Sequence, residues 1–283
     1  MKNFYMVVNK DKENAEKGAE LISEFLHEQG CECLRWDRES SRGAQFKYTD
    51  FSKVPMNTEC VITLGGDGTL IQAARDQAGR NIPLFGVNMG TLGYLTQISR
   101  EADIIPALKD LIAGRYVLEK RMMLCGKVIS EGRTVMDDIA LNDVVLTRTG
   151  LYTLKFRLYL NGQIFNDYAA DGMIMATPTG STAYNLSAGG PIAAPESDMI
   201  ILTPICPHTL NSRSIVLPSD SRIMLDLIDE GDIEPFLSFD GDTVVKLKKG
   251  DRIEIGKSEI GTILVQLKQV PFLENIRSKM RQI

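Results

Sequence analysis

The hydrophobic pattern of the chain changes period once, near Leu118, and that change limits what the chain can fold into. Before it, short apolar runs alternate with segments of helical spacing. Residues 4–8, 31–36, 60–64 and 84–87 have strand composition. Ala15, Ala19, Ile22, Phe25 and Leu26 recur at helical spacing, and Gly30 stands where a helix C-terminal glycine belongs. Residues 69–78 and 104–113 read as two more helices, closed by Gly79 and Gly114. Alternation of this kind predicts a parallel sheet covered by helices. Beyond Leu118 the period becomes two: Leu154, Phe156, Leu158 and Leu160 alternate with Lys155, Arg157 and Tyr159. Asn161-Gly162 follows as a hairpin signal, and Asp240-Gly241, Lys249-Gly250 and Gly256-Lys257 punctuate further short strands. Turns at this frequency predict an antiparallel β domain, a sandwich or a barrel. The expected fold class is therefore α/β plus all-β, with residues 1–118 in the first domain and 119–261 in the second. The polar stretch 37–57 is long for a loop, and residues 272–283 read as an irregular tail.

Composition narrows the function classes. With 283 residues there is chain for two domains at about 150 residues each, and for a core that needs no staple. The net charge of −5 argues against a nucleic-acid partner, which calls for clustered positive charge. Five scattered cysteines (Cys31, Cys33, Cys60, Cys125, Cys206) form no disulfide framework and read as reduced, packed thiols. With only His27 and His208 beside them, a zinc site is not expected. The apolar run at the N-terminus is too short for a signal peptide, and no stretch approaches the ~20 apolar residues of a membrane span. These features predict a cytoplasmic protein without a membrane partner.

Four segments could carry chemistry. Gly65-Gly66-Asp67-Gly68-Thr69 lies between a buried-strand run and a helix. Glycines let backbone approach a ligand closely, and the helix start offers unpaired N–H groups, so the turn suits phosphate. It is neither a Walker A loop nor Gly-x-Gly-x-x-Gly. Asp67 stands in its middle, where a carboxylate would repel phosphate unless it takes a proton, meets a metal ion, or caps the helix. The second segment, residues 171–191, follows a buried strand with a dense run of hydroxyls and small residues around Tyr184 and Asn185. It suits a sugar or a base, or a loop bound by its own side-chain hydrogen bonds. The third is Leu141-Asn142-Asp143-Val144, an amide and a carboxylate at the mouth of an apolar run, equally readable as an Asx turn. The fourth, residues 204–213, holds His208, an acid or base by type and more simply a loop histidine.

These segments, in this order and together with Asn88-Met89-Gly90-Thr91-Leu92-Gly93-Tyr94, resemble the NAD kinase family of the bacterial type. The likeness runs from about Val61 to Asp242. The Gly-Gly-Asp-Gly-Thr turn alone is shared with diacylglycerol and sphingosine kinases; the 171–191 segment is the specific part. The resemblance implies a Rossmann-like α/β domain with a parallel sheet, then an antiparallel β-sandwich domain that binds the dinucleotide, with a C-terminal tail of about 262–283 packing back on the first. It implies transfer of the terminal phosphoryl group of ATP, or of polyphosphate, to the 2′-hydroxyl of the adenosine ribose of NAD. Asp67 matches the family's general base. Gly65, Gly66 and Gly68 match its phosphate-facing turn, and Gln72 stands where many relatives carry a basic residue. Tyr94 matches an aromatic position near adenine, Asn142 and Asp143 a pair that contacts the dinucleotide, and Asp171 a second pocket carboxylate. Thr182, Ala183, Tyr184, Asn185, Leu186 and Ser187 match the segment shaping the nucleoside pocket. A divalent cation, Mg²⁺ or Mn²⁺, and a homodimer or homotetramer are implied with them; the metal ligands are not. The rival readings are a lipid kinase, which needs an apolar cleft in the β domain, and a non-catalytic NAD(H)-binding sensor, which could dispense with Asp67.

Overall fold

A computed structural model describes the chain except residues 13, 39–53, 89–92, 209–211, 230–232, 268–275 and 278–283. The 39–53 part of the long polar stretch, and nearly all of the 272–283 tail, therefore lie outside the described residues. The chain divides into two compact units. One runs from the N-terminus to Arg121 and resumes at Gly261; the other holds Met122–Ile260.

The first unit follows the βα alternation. β1 (Asn3–Asn9), α1 (Ala15–Glu28), β2 (Glu32–Arg38), β3 (Cys60–Leu64), α2 (Asp67–Asp76), β4 (Leu84–Val87), α3 (Ile104–Ile112) and β5 (Val117–Arg121) come in that order. The sheet order is β2-β1-β3-β4, then the strand Thr262–Gln266, then β5. β2, β1, β3 and β4 are mutually parallel. The strand Thr262–Gln266 runs parallel to β4 and antiparallel to β5. The sheet is thus not wholly parallel: the apolar residues around Leu118 form an antiparallel edge strand, half exposed at Val117 and Leu118. An edge strand joined through a neighbour that arrives from the far end of the chain leaves no local sequence signal of its direction. α1 forms because its apolar residues recur every three to four positions, and it buries Ala19, Ile22, Phe25 and Leu26. These pack with Phe4, Met6 and Val8 of β1 and with Leu108 and Leu111 of α3. Full burial of each large apolar side chain contributes about 1.5–3 kcal/mol.

The second unit is all antiparallel apart from short helical turns. Its strands are β6 (Leu124–Ser130), β7 (Arg133–Ala140), β8 (Asp143–Thr149), β9 (Leu154–Leu160), β10 (Gln163–Ala170), β11 (Gly172–Ala176), β12 (Met199–Ile205), β13 (Ile215–Pro218), β14 (Ile223–Asp229), β15 (Glu234–Phe239), β16 (Thr243–Lys246) and β17 (Arg252–Lys257). They make two six-stranded sheets, β10-β9-β14-β17-β6-β7 and β13-β12-β11-β8-β15-β16. One core joins them: Val128, Phe156, Leu158 and Leu225 of the first sheet meet Leu146, Met173, Met175, Leu202 and Phe239 of the second. This is the expected sandwich. Asn161-Gly162 turns β9 into β10 with positive φ at both residues, as a two-residue hairpin requires. The apolar segment Met199–Leu202 lies in β12, between β11 and β13, with Ile200, Ile201 and Leu202 fully buried. It is core and not a sheet edge.

Candidate active site

In the first unit the site grows from the end of β3. That strand is buried throughout and stops at Gly65. α2 then starts at Asp67, two residues earlier than the pattern predicts, with extended Gly66 before it. A Cβ at Gly65 would stand 2.3 Å from Thr69 Oγ1, so its missing side chain serves the packing of the turn on its own helix. Gly66 and Gly68 have nothing within 4 Å of a Cβ position, so here the backbone lies open to an approaching group.

Asp67 does not cap its helix. Its carboxylate reaches the segment 93–96 instead. Oδ2 accepts the Tyr94 N–H at 2.6 Å, and Oδ1 accepts the Leu95 N–H, the Thr96 N–H and the Thr96 hydroxyl, each at 3.2 Å. Gly93 permits this approach, since a Cβ there would stand 1.8 Å from Oδ1. Consecutive N–H groups converging on one anion form a nest. A carboxylate offers about four lone-pair sites. The three donors on Oδ1 leave it none, and Oδ2 retains one. Tyr94 is therefore tied to Asp67 through its backbone, while its ring is half-buried. Gln72 is buried on α2, its Nε2 donating to Asp76 Oδ1 at 2.8 Å, and its Oε1 has no hydrogen-bond partner. Residues 89–92 of the quoted Asn88–Tyr94 motif lie outside the described residues.

The second unit gathers the other segments. Asn142 sits between β7 and β8, and Asp143 opens β8. Their backbone is gripped by Asp240, at the end of β15: its carboxylate accepts N–H groups from Leu141 at 2.8 Å, Asn142 at 2.7 Å and Asp143 at 3.2 Å. Burial, with the Asp240 charge beside it, pushes the Asp143 carboxyl up to about 7. Near neutral pH this group can donate as well as accept. Thr177 ties the next segment to this one, its N–H donating to Asn142 O at 2.8 Å and its hydroxyl to Leu141 O at 2.6 Å.

Beyond Thr177 come a 3-10 turn (Thr179–Thr182) and α4 (Tyr184–Ser187). The hydroxyls here are largely spent within the fold. Ser181 bonds Pro178 O and both backbone groups of Ala193, and Thr182 donates to Thr179 O at 3.4 Å. Asn185 is fully buried: Nδ2 donates to Ser181 O at 3.1 Å and Pro191 O at 3.0 Å, and Oδ1 accepts the Thr203 hydroxyl at 2.7 Å. It holds the segment together rather than facing outward. Tyr184 is 45% exposed, and Ala183, Leu186 and Ser187 are partly or fully exposed, so these can meet a ligand. Asp171, just before β11, is paired with Arg148 on β8 at 2.5 Å. His208 is exposed, with its backbone N–H on Ala169 O. Burial and the neighbouring Cys31 push the Cys33 thiol up to about 11, the opposite of a reactive thiolate. Three functional features escaped the sequence reading. Asp240 read only as half of an Asp-Gly turn, and Arg148 and Thr96 gave no signal at all.

Comparison with known proteins decides the family. Residues 4–116 match the ATP-NAD kinase N-terminal domain, and residues 141–267 match the ATP-NAD kinase C-terminal domain. The chain belongs to the NAD kinase family. An NAD kinase of Lachnospira eligens is 42% identical over 294 residues, covering 99% of this chain and 100% of that one. One from Lachnoclostridium phytofermentans is 39% identical, with 99% of each chain covered. Among solved structures, yeast NADH kinase complexed with NADH superposes with a TM-score of 0.82 at 25% identity, over 98% of this chain and 86% of that chain. An NAD kinase from Archaeoglobus fulgidus in complex with ATP gives a TM-score of 0.75 at 25% identity, over 99% of both. The activity of this NAD kinase family member is accordingly phosphoryl transfer to NAD, and the lipid-kinase alternative falls.

Proposed function

We propose that the chain transfers the terminal phosphoryl group of ATP to the 2′-hydroxyl of the adenosine ribose of NAD, with Asp67 as the proton acceptor. The observation that carries this is the Asp67 carboxylate: it sits in a glycine turn at a helix start, aimed by four donors, with one lone pair left on Oδ2. In the step, the ribose oxygen bonds to the γ-phosphorus, the bond from that phosphorus to the β-phosphate oxygen breaks, and ADP leaves. The hydroxyl proton passes to Asp67 Oδ2. Gly66 and Gly68 give the phosphates room to approach backbone. Tyr184 offers an aromatic face to a base, and Asn142, Asp143 and Asp171 offer polar contacts to the dinucleotide. Positioning of this kind supplies most of the acceleration in phosphoryl transfer. The ATP bound by the Archaeoglobus relative and the NADH bound by the yeast enzyme support ATP as donor and a nicotinamide adenine dinucleotide as acceptor.

Among the described residues no group of three or more His, Cys, Asp or Glu side chains is placed to hold a metal ion. The divalent cation that the family resemblance implies, Mg²⁺ or Mn²⁺, is read as arriving with the substrate, chelated by the phosphates of ATP. Five free cysteines support a reducing compartment, the cytoplasm. No helix among the described residues is long and apolar enough to cross a membrane. β10 is an edge strand carrying exposed Ile164 and Phe165, which supports self-association as a homodimer or a higher symmetric assembly. The test of the chemistry is NADP formation from NAD, ATP and Mg²⁺. Asp67→Asn lowers kcat by about 10²–10⁴ with little change in NAD affinity. A variant with wild-type kcat removes Asp67 from the mechanism.

A further inference from the structure

Four hydrogen bonds aim the Asp67 carboxylate, and three of them come from backbone N–H groups that side-chain substitutions other than proline leave in place. The fourth comes from a side chain, the Thr96 hydroxyl, at 3.2 Å from Oδ1. That hydroxyl also accepts the Gly93 N–H at 3.0 Å, so both its donor and an acceptor site are in use. Thr96 is 3% exposed. Its methyl group lies against Gly86 of β4: a Cβ at Gly86 would stand 2.9 Å from Thr96 Cγ2 and 2.7 Å from Leu70 Cδ1. A β-branched side chain has few χ1 choices. With the methyl seated over Gly86, the hydroxyl is left pointing at Oδ1. The sheet thus sets the rotamer of Thr96, and Thr96 sets the face of the carboxylate on which Oδ2 keeps its lone pair.

We infer that Thr96 is a positioning residue for phosphoryl transfer, acting through Asp67 by holding Oδ1 with a side-chain donor beside the two backbone ones, so that Oδ2 is presented to the attacking hydroxyl. This rests on the reading of Asp67 as proton acceptor. Thr96→Val keeps the shape and the methyl but loses the hydroxyl, and Thr96→Ser keeps the hydroxyl. The loss of one charge-assisted hydrogen bond lowers kcat of Thr96→Val by about ten- to hundredfold, with KM for NAD and for ATP nearly unchanged. Thr96→Ser, which keeps the hydroxyl but not the methyl that seats it over Gly86, gives a kcat between those of the wild type and Thr96→Val. In an Asp67→Asn background, Thr96→Val adds nothing further, because the residue acts only through that carboxylate. Steady-state kinetics of the wild type, the three single variants and the double variant decide it. The inference is overturned by wild-type kcat in Thr96→Val, by Thr96→Ser losing as much as Thr96→Val, or by a double variant slower than Asp67→Asn alone. An Asp67→Asn variant at full rate strikes the reading of Asp67 itself, whereas a slow Asp67→Asn beside an unimpaired Thr96→Val strikes Thr96 alone.

Discussion

Truncation of Asn185 to alanine separates two roles for a residue in the nucleoside-pocket segment. The side chain is fully buried and makes three hydrogen bonds. Asn185→Ala orphans Ser181 O, which is buried, and Pro191 O, which belongs to an exposed residue and can take a water in exchange. The Thr203 hydroxyl loses Oδ1 but keeps Ser214 Oγ at 3.0 Å, so it adds little. An orphaned buried polar group costs about 1–3 kcal/mol, so one full and one partial orphan cost about 2–4 kcal/mol. For a unit of this size each kcal/mol moves the melting temperature by about 2–4 °C, which makes the expected drop roughly 5–15 °C. Thermal unfolding followed by circular dichroism reads that drop. KM for NAD, measured well below the transition, stays close to wild type because the side chain has no exposed surface to offer the dinucleotide. An unchanged melting temperature with a raised KM refutes the argument and makes Asn185 a ligand contact.

Asp143 makes stability depend on pH. Its folded pKa of about 7 lies above the unfolded value of about 3.9, so the folded protein binds the extra proton and stability falls as pH rises from about 4 through about 7. Asp143→Asn removes that fall, so the melting temperatures of variant and wild type diverge with rising pH in favour of the variant; parallel profiles exclude the effect. For self-association, light scattering at micromolar protein gives twice the chain mass or a higher multiple, and a mass of 31.4 kDa, unaltered by NAD or Mg²⁺, rules the dimer out.

What the sequence made legible was local. The helical spacing from Ala15 to Leu26, the Asn161-Gly162 hairpin and the glycine turn at Asp67 all became the elements they announced, because each is decided by residues within a few positions. The turn even marked its own oddity, a carboxylate where phosphate was expected. What stayed hidden was action at a distance. Asp240 grips backbone 97 to 99 positions away, and nothing in an Asp-Gly dipeptide says so. Asp67 meets its donors 27 to 29 positions on, past a loop. Asn185 reads as a pocket residue from its neighbours and from the family resemblance; its burial and its three hydrogen bonds brace the segment, which no local pattern announces. Gln72 sits on a helix whose exposed side is narrow, so its amide turned inward to Asp76.

The strand Thr262–Gln266 fills the gap between β4 and β5 in the first sheet, and it is made after every strand of the sandwich. On the ribosome, every strand of the sandwich has emerged before this one, so the sandwich can close on its own residues while the earlier sheet stands split, with β4 and β5 each lacking a neighbour. The first sheet, although begun at the N-terminus, cannot be complete before the sandwich has been synthesised. Until the closing strand arrives, the sheet that carries the glycine turn and Asp67 exposes two raw edges, each a template for a stray chain. Completion of the reactive half thereby waits on a strand made after the whole sandwich, and a chain stopped before Thr262 lacks the strand that joins β4 to β5.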